Sequence, residues 1–311
     1  MYKNHKITAV VPAHNEAAHI GQVISGMPEL VDRIIVVDDC SQDGTSQVAA
    51  TSGDARVDLV TLSVNQGVGG AMAAGYRRAL QLQSDIIVKI DGDGQMPPEY
   101  LPELLDAIID QGFDYAKGNR FLLGNTISAM PTHRILGNVV LTFMTKMASG
   151  YWHIFDPQNG YTAITAKALR TVNLETLHRG FFFENDMLVQ LNFGGHRVKD
   201  VAMPARYGTE QSDMNILEIG LTFPLLLLRK FFHRIIQKYV LRDFSPIALF
   251  LFVGLALFLW GGGFGIYLWV KTIVTHLATP TGTIMLALLP LILGFQLLLQ
   301  AIVLDIQETP R

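Results

Sequence analysis

The sequence predicts an α/β fold: a mostly parallel central sheet, followed by an amphipathic region and a two-helix membrane hairpin. Three observations predict it. Short β-branched runs alternate with segments of helical period through the first two thirds of the chain. Polar clusters follow those runs directly, where an open parallel sheet binds its ligands. The last third holds two long stretches almost free of charge.

Composition agrees. Of 311 residues, 50% are hydrophobic and 16% charged, with mean hydropathy +0.30. About a quarter charged is usual for a soluble protein, so the length accommodates one soluble domain plus an apolar part. The net charge of −3 offers no basic field for nucleic acid. The single cysteine, Cys40, excludes an internal disulfide and a cysteine zinc cluster. Met1 to Lys6 run into an apolar strand without a signal-peptide core, so the main domain is expected to stay where it is made.

In chain order, residues 7–11 read as the first strand, ended by Pro12. Ala13-His14-Asn15-Glu16 then opens a helix from Ala17 to Met27 through Ile20, Val23 and Ile24. Residues 34–37 are a second buried strand, ending in Asp38-Asp39-Cys40-Ser41-Gln42-Asp43-Gly44-Thr45, where Ser41 or Asp43 caps the next helix. A third strand from Val57 to Leu62 leads to Asn65-Gln66-Gly67-Val68-Gly69-Gly70 and a helix from Ala71 to Leu82.

The fourth strand, residues 86–90, ends in Asp91-Gly92-Asp93-Gly94-Gln95. Strand period two puts Asp91 and Asp93 on one side of the backbone. Two carboxylates aimed at one point suit a hard cation, Mg²⁺ or Mn²⁺, which in turn holds a diphosphate. Gln95 adds a neutral oxygen. The alternative is an ordinary acidic turn, since Asp and Gly are common turn residues.

Taken together, Val11-Pro12-Ala13-His14-Asn15-Glu16, Val37-Asp38-Asp39 with its following loop, Asn65-Gln66-Gly67-Val68-Gly69 and Asp91-Gly92-Asp93-Gly94-Gln95 resemble the family 2 glycosyltransferases. The form of the last motif is most similar to the branch of dolichol-phosphate mannose synthase and its bacterial polyprenyl-phosphate relatives. The resemblance implies a GT-A, Rossmann-like nucleotide-sugar-binding domain. It implies Asp91, Asp93 and Gln95 as ligands of Mg²⁺ or Mn²⁺. It implies nucleotide contact by Pro12, Ala13, Asn15, Glu16, Asp38, Asp39, Asn65, Gly67 and Gly92. Val68 departs from the pattern, where many relatives carry a basic residue; backbone amides of 67–70 are expected to serve instead.

Further along, Pro97 and Pro98 start a helix through Leu104, Leu105, Ile108 and Ile109, and residues 115–120 form a short strand ending at Arg120. Ser128 to Met147 reads as helical and contains Arg134. Arg120 and Arg134 are candidate phosphate ligands, because guanidinium matches phosphate bidentately; ordinary surface cations are the alternative. Phe155-Asp156-Pro157-Gln158-Asn159-Gly160-Tyr161, before a strand at 162–164, resembles the family's acceptor-side motif. Phe183-Glu184-Asn185-Asp186 resembles the segment carrying the catalytic acid pair. Helix capping is the alternative for those carboxylates. A further strand runs from His196 to Val201. The segment from Pro204 to Ser212 is similar to the loop over the donor, with Arg206 on phosphate. Asp156, Glu184 and Asp186 are the candidate bases or positioning groups.

The catalytic domain is expected over 1–215 and juxtamembrane helices over 216–243. Leu228, Phe231, Phe232, Ile235, Ile236 and Tyr239 share one helical face, with Arg229, Lys230, His233, Arg234, Gln237 and Lys238 around it. That pattern suits an anionic membrane surface or packing on the catalytic domain. The hairpin is expected over 244–305, with spans near 247–270 and 284–304, and a tail at 306–311. Gly261 with Gly265, and Gln296 with Gln300, are candidate helix contacts, which would allow a homo-oligomer. Basic residues cluster before the first span, so the catalytic domain and C-terminus are expected in the cytoplasm, at the cell membrane or the ER membrane.

A nucleotide-sugar site joined to a membrane hairpin suggests a lipid acceptor. The expected activity is inverting transfer of a sugar, mannose or glucose first, from a GDP- or UDP-linked donor to polyprenyl or dolichyl phosphate. A phosphate monoester is already charged near neutral pH and needs little help from a base. One rival is a lipid hydroxyl or glycan acceptor with a carboxylate base; another is a non-catalytic nucleotide-sugar-binding subunit. A processive polysaccharide synthase is disfavoured, since the chain lacks Gln-x-x-Arg-Trp.

Overall fold

The computed structural model describes residues 1–122, 132–204 and 216–310, with side chains for all of these except 132–136, 138 and 216–221. The chain divides into two compact units, Met1–Lys230 and Phe231–Thr309.

In the first unit, β1 (Ile7–Ala13), β2 (Arg33–Asp38), β3 (Val57–Thr61), β4 (Ile86–Lys89), β5 (Tyr115–Asn119), β6 (Thr162–Thr165) and β7 (Val198–Ala202) form one sheet, ordered β3-β2-β1-β4-β6-β5-β7. Every pairing is parallel except those of β6, which runs antiparallel to β4 and β5. The mostly parallel sheet is therefore as expected. The apolar runs are continuous because both faces are covered. Ile34 and Val36 pack with Ile20, Leu101 and Leu104 on one face. Ile35 and Val37 pack with Met72, Tyr76 and Met187 on the other.

The helices are α1 (Ile20–Ser25), α2 (Thr45–Ala50), α3 (Val68–Gln81), α4 (Leu101–Ile109), α5 (Thr132–Ser149), α6 (Ala166–Leu169) and α7 (Phe183–Phe193); α8 (Ile216–Arg234) runs past the unit's end. Of the boundaries that differ from the sequence reading, two bear on the site. Pro12 does not end β1, but pairs with Val37 inside it. The Val10 carbonyl faces β4, accepting from Ile90 N–H at 3.1 Å. By strand alternation Pro12 faces the same way, beyond the last β4 pairing, so its missing N–H has no ladder bond to lose. The helix expected from Ala17 begins at Ile20, with the Ala17 N–H donating to Asp43 Oδ2 at 3.0 Å.

In the second unit, a π-helical turn (Ile235–Arg242) continues α8, and α9 (Pro246–Thr275) and α10 (Thr281–Gln307) form the hairpin. Both helices are long and apolar enough to cross a membrane, and only 22% and 17% of their most apolar windows are buried within the chain. They outrun the expected spans at both ends. Gly261 sets their approach: a Cβ there would lie 2.5 Å from Leu291 N and 2.6 Å from Ala287 O. Gly265 has only the Ala287 Cβ nearby, at 3.8 Å, and Gln296 and Gln300 are exposed on the hairpin's outer side. Asp305, expected to end the second span, is helical and buried. Arg234 donates to its two oxygens at 2.7 and 2.8 Å, and the Tyr239 hydroxyl donates at 2.7 Å.

Candidate active site

The polar ends of β1, β2 and the β3–α3 connection interlock. Asn15, at φ +58°, donates its backbone N–H to Ser41 Oγ at 2.9 Å, and its Oδ1 accepts from Gln42 N at 2.8 Å. Glu16 N donates to Thr45 Oγ1 at 2.8 Å. Asp38 accepts from Ser41 N at 3.1 Å and from the Ser46 hydroxyl. Asp39 Oδ1 accepts from Gln66 N at 2.7 Å, and Asn65 Oδ1 from Gly67 N at 3.0 Å. Cys40 also takes positive φ, at +59°. Left-handed non-glycine residues cost energy and persist where the surroundings hold them. The Gly69 N–H, one of the amides expected to cradle phosphate, is spent on the Arg179 carbonyl at 2.7 Å. With the Gly67 N–H also engaged, the 67–70 turn is a packed joint against 178–180 more than an open nest.

The 91–95 loop closes onto this framework through Gly92, where a Cβ would lie 3.1 Å from the Pro12 carbonyl oxygen and 3.4 Å from Glu16 Cγ. Asp93 Oδ1 accepts from Gln95 N at 2.9 Å. Asp91 Oδ1 accepts from Lys89 Nζ at 2.6 Å, and Lys89 also reaches Glu184 Oε1 at 3.4 Å. The Lys89 side chain is 2% exposed. Burial opposes its charge, but Asp91 and Glu184 outweigh burial and hold the ammonium well above its ordinary range. Glu184 is pushed up, chiefly by burial, with Lys89 opposing. Two half-exposed carboxylates and an amide oxygen form a hard donor set that fits Mg²⁺ or Mn²⁺.

Glu184 and Asp186 do not share a partner. They lie two residues apart on α7, so they leave the helix on different faces. Asp186 Oδ2 accepts from His178 N at 3.0 Å, while its Oδ1 pairs with Lys230 of α8 at 2.5 Å.

At the end of β5, Arg120 grips Asp156 with Nε and Nη2, each at 2.7 Å. Burial raises the Asp156 carboxyl, but Arg120 and Lys117 outweigh it and hold it below the usual aspartate range. Lys117 Nζ donates to the carbonyls of Gly118 at 3.1 Å, Phe155 at 3.3 Å and Asp156. Asp200 accepts from Asn119 Nδ2 and Phe155 N, both at 2.6 Å. Arg134 lies in α5 with its side chain outside the described residues, and Arg206 lies outside them altogether.

Lys89, Lys117, Asp200 and Lys230 are absent from the residues expected for the site. Two of them carry a signal: a lysine inside a run of buried strand residues needs an anion nearby. Lys89 and Lys117 both pair in register with Thr162, so they flank it in one row of the sheet.

An open, mostly parallel sheet with an acidic 91–95 loop at its ligand-binding edge defines a GT-A glycosyltransferase. More specifically, the chain belongs to glycosyl transferase family 2, whose family model matches residues 8–172. Among its relatives, an undecaprenyl-phosphate mannosyltransferase of Micrococcus luteus is 30% identical over 63% of this chain and 82% of its own length. A UDP-N-acetylglucosamine–dolichyl-phosphate N-acetylglucosaminyltransferase of Methanococcus voltae is 26% identical over 72% of this chain and 96% of its own. In structure the chain is similar to glucosyl-3-phosphoglycerate synthase of Mycobacterium tuberculosis, solved with Mn²⁺ and UDP. That likeness has TM-score 0.55 at 21% identity, covering 74% of this chain and 80% of that one.

Proposed function

We propose that this glycosyltransferase moves a hexose, mannose before glucose, from a GDP- or UDP-linked donor to a polyprenyl phosphate, inverting the anomeric centre. Asp91, Asp93 and Gln95 would hold Mg²⁺ or Mn²⁺, which when bound stabilises the leaving diphosphate. Pro12, Ala13, Asn15, Glu16, Asp38, Asp39, Asn65, Gly67 and Gly92 would line the nucleotide. Arg120, Arg134 and Arg206 would steer the acceptor phosphate.

One observation carries the choice of acceptor. Each candidate base is paired with a cation: Asp156 with Arg120 at 2.7 Å, Glu184 with Lys89 at 3.4 Å, Asp186 with Lys230 at 2.5 Å. A carboxylate oxygen turned to a cation is turned away from an acceptor's proton, which matters to a hydroxyl acceptor and not to a phosphate monoester that is already charged. The reaction then rests on positioning and charge. Exposed Val139, Val140 and Phe143 on α5, the helix of Arg134, add an apolar face suited to a lipid. The names of the relatives, which act on undecaprenyl and dolichyl phosphate, support the same acceptor class.

The two apolar helices support a membrane anchor. Arg229, Lys230, Arg234, Lys238 and Arg242 precede the first of them, which favours a cytoplasmic catalytic domain and C-terminus. The exposed Gln296 and Gln300 offer a hairpin contact to a second copy.

The test is a panel of GDP- and UDP-sugars with undecaprenyl or dolichyl phosphate and Mn²⁺, read by nucleotide release and lipid product. Transfer from one donor, abolished by chelation, is expected. Donor hydrolysis without lipid product, or transfer unaffected by chelation, would overturn the reading.

A further inference from the structure

The sheet carries a lysine where its neighbours demand apolar side chains. Lys89 follows Ile86, Ile87 and Val88 on β4, is 2% exposed, and reaches Asp91 at 2.6 Å and Glu184 at 3.4 Å. Gly160 makes room for it. A Cβ at Gly160 would lie 3.0 Å from Asp91 Oδ2 and closer still to Lys89 Nζ. The pair thus sits in a cradle that any larger residue would fill. Two carboxylates meet Lys89, Asp91 from the loop and Glu184 from α7, and Lys89 takes one oxygen of Asp91.

We propose that Lys89 is a positioning residue that acts as a built-in counter-ion to the cation site, so that tight divalent-cation binding depends on a nucleoside diphosphate arriving with the metal. The inference rests on the reading of Asp91, Asp93 and Gln95 as cation ligands. Without Lys89, the charges of Asp91 and Glu184 would be left to attract a free divalent ion. With it, one negative charge is cancelled and Asp91 Oδ1 is occupied, so the bare site holds the ion weakly. A diphosphate supplies the missing negative charge. The cation is thereby retained while substrate or product nucleotide is present and released with it.

The experiment measures Mn²⁺ binding to the full-length protein in detergent by electron paramagnetic resonance, with and without nucleoside diphosphate. Lys89→Met is expected to tighten Mn²⁺ binding without nucleotide by about tenfold, because a full charge a few ångström away is worth at least that at a protein's effective dielectric. It should also shrink the enhancement that nucleotide gives. Lys89→Arg should leave both nearer to the wild type. Should Lys89→Met not fold, by its melting curve, Glu184→Gln carries the test: freed of Glu184, Lys89 opposes the cation more strongly, and Mn²⁺ binding without nucleotide should weaken several-fold. Unchanged or weaker Mn²⁺ binding in folded Lys89→Met, or unchanged binding in Glu184→Gln where that variant carries the test, overturns the counter-ion role while the cation reading stands. A wild type that binds no Mn²⁺ even with nucleotide overturns both.

Discussion

Glu184 and Asp186 stand two residues apart at the start of α7 yet pair with different cations: Glu184 with Lys89 of the sheet at 3.4 Å, Asp186 with Lys230 of α8 at 2.5 Å. An acid pair that reads as one device in the sequence is divided between two cations. Glu184 faces the 91–95 loop. Asp186 joins α7 to α8, the helix that leads out of the unit.

If Glu184 is a charge partner rather than a general base, Glu184→Gln at saturating Mn²⁺ lowers turnover by less than about tenfold. Loss of a required base costs about 10²–10⁴-fold. Steady-state kinetics with polyprenyl phosphate distinguish the two.

Asp186 is 1% exposed at its side chain, and Lys230 24%. Asp186→Asn should lower stability, because it removes the charge partner 2.5 Å from Lys230 in a mostly buried setting. A double-mutant cycle with Lys230→Met should give a coupling of about 1–3 kcal/mol in thermal or chemical unfolding.

Asp156 has its carboxyl held low, chiefly against burial, by Arg120 and Lys117. A carboxyl whose folded value lies below its unfolded one stabilises the fold fully above the unfolded value, about 3.9, and loses that contribution as pH falls through the folded value. The wild-type melting temperature should therefore decline on acidification below about pH 4, and Asp156→Asn should show a shallower decline from a lower starting point.

Arg234 is fully buried against Asp305, which is 6% exposed at its side chain. Asp305→Asn leaves a buried guanidinium without its charge partner and should cost about 3–5 kcal/mol. Unfolding in detergent, followed at Tyr239 and the hairpin tryptophans, would measure it.

The sheet was legible in the sequence because buried parallel strands leave an uninterrupted apolar signature, as Ile34 to Val37 do. The antiparallel β6 was not, because Thr162, Ala163 and Ile164 carry no mark of direction; only pairing with β4 and β5 sets it. The extra reach of β1 through Pro12 was hidden by a rule about proline that fails where no neighbour strand needs the N–H. The 91–95 loop was readable because its chemistry is local. Lys89–Glu184 and Lys230–Asp186 were not, since each joins residues far apart in the chain. Asp305 ended the expected span because a lone acid in lipid is costly; Arg234 and Tyr239 remove that cost.

In the proposed reaction the nucleophile is a lipid phosphate, admitted by a site whose three candidate bases are each tied to a cation. The most direct measurement supplies the wild-type protein with its preferred donor and either a polyprenyl phosphate or the matching polyprenol. Sugar transfer to the phosphate alone is predicted. Equal transfer to the alcohol, or transfer to the alcohol only, would contradict it.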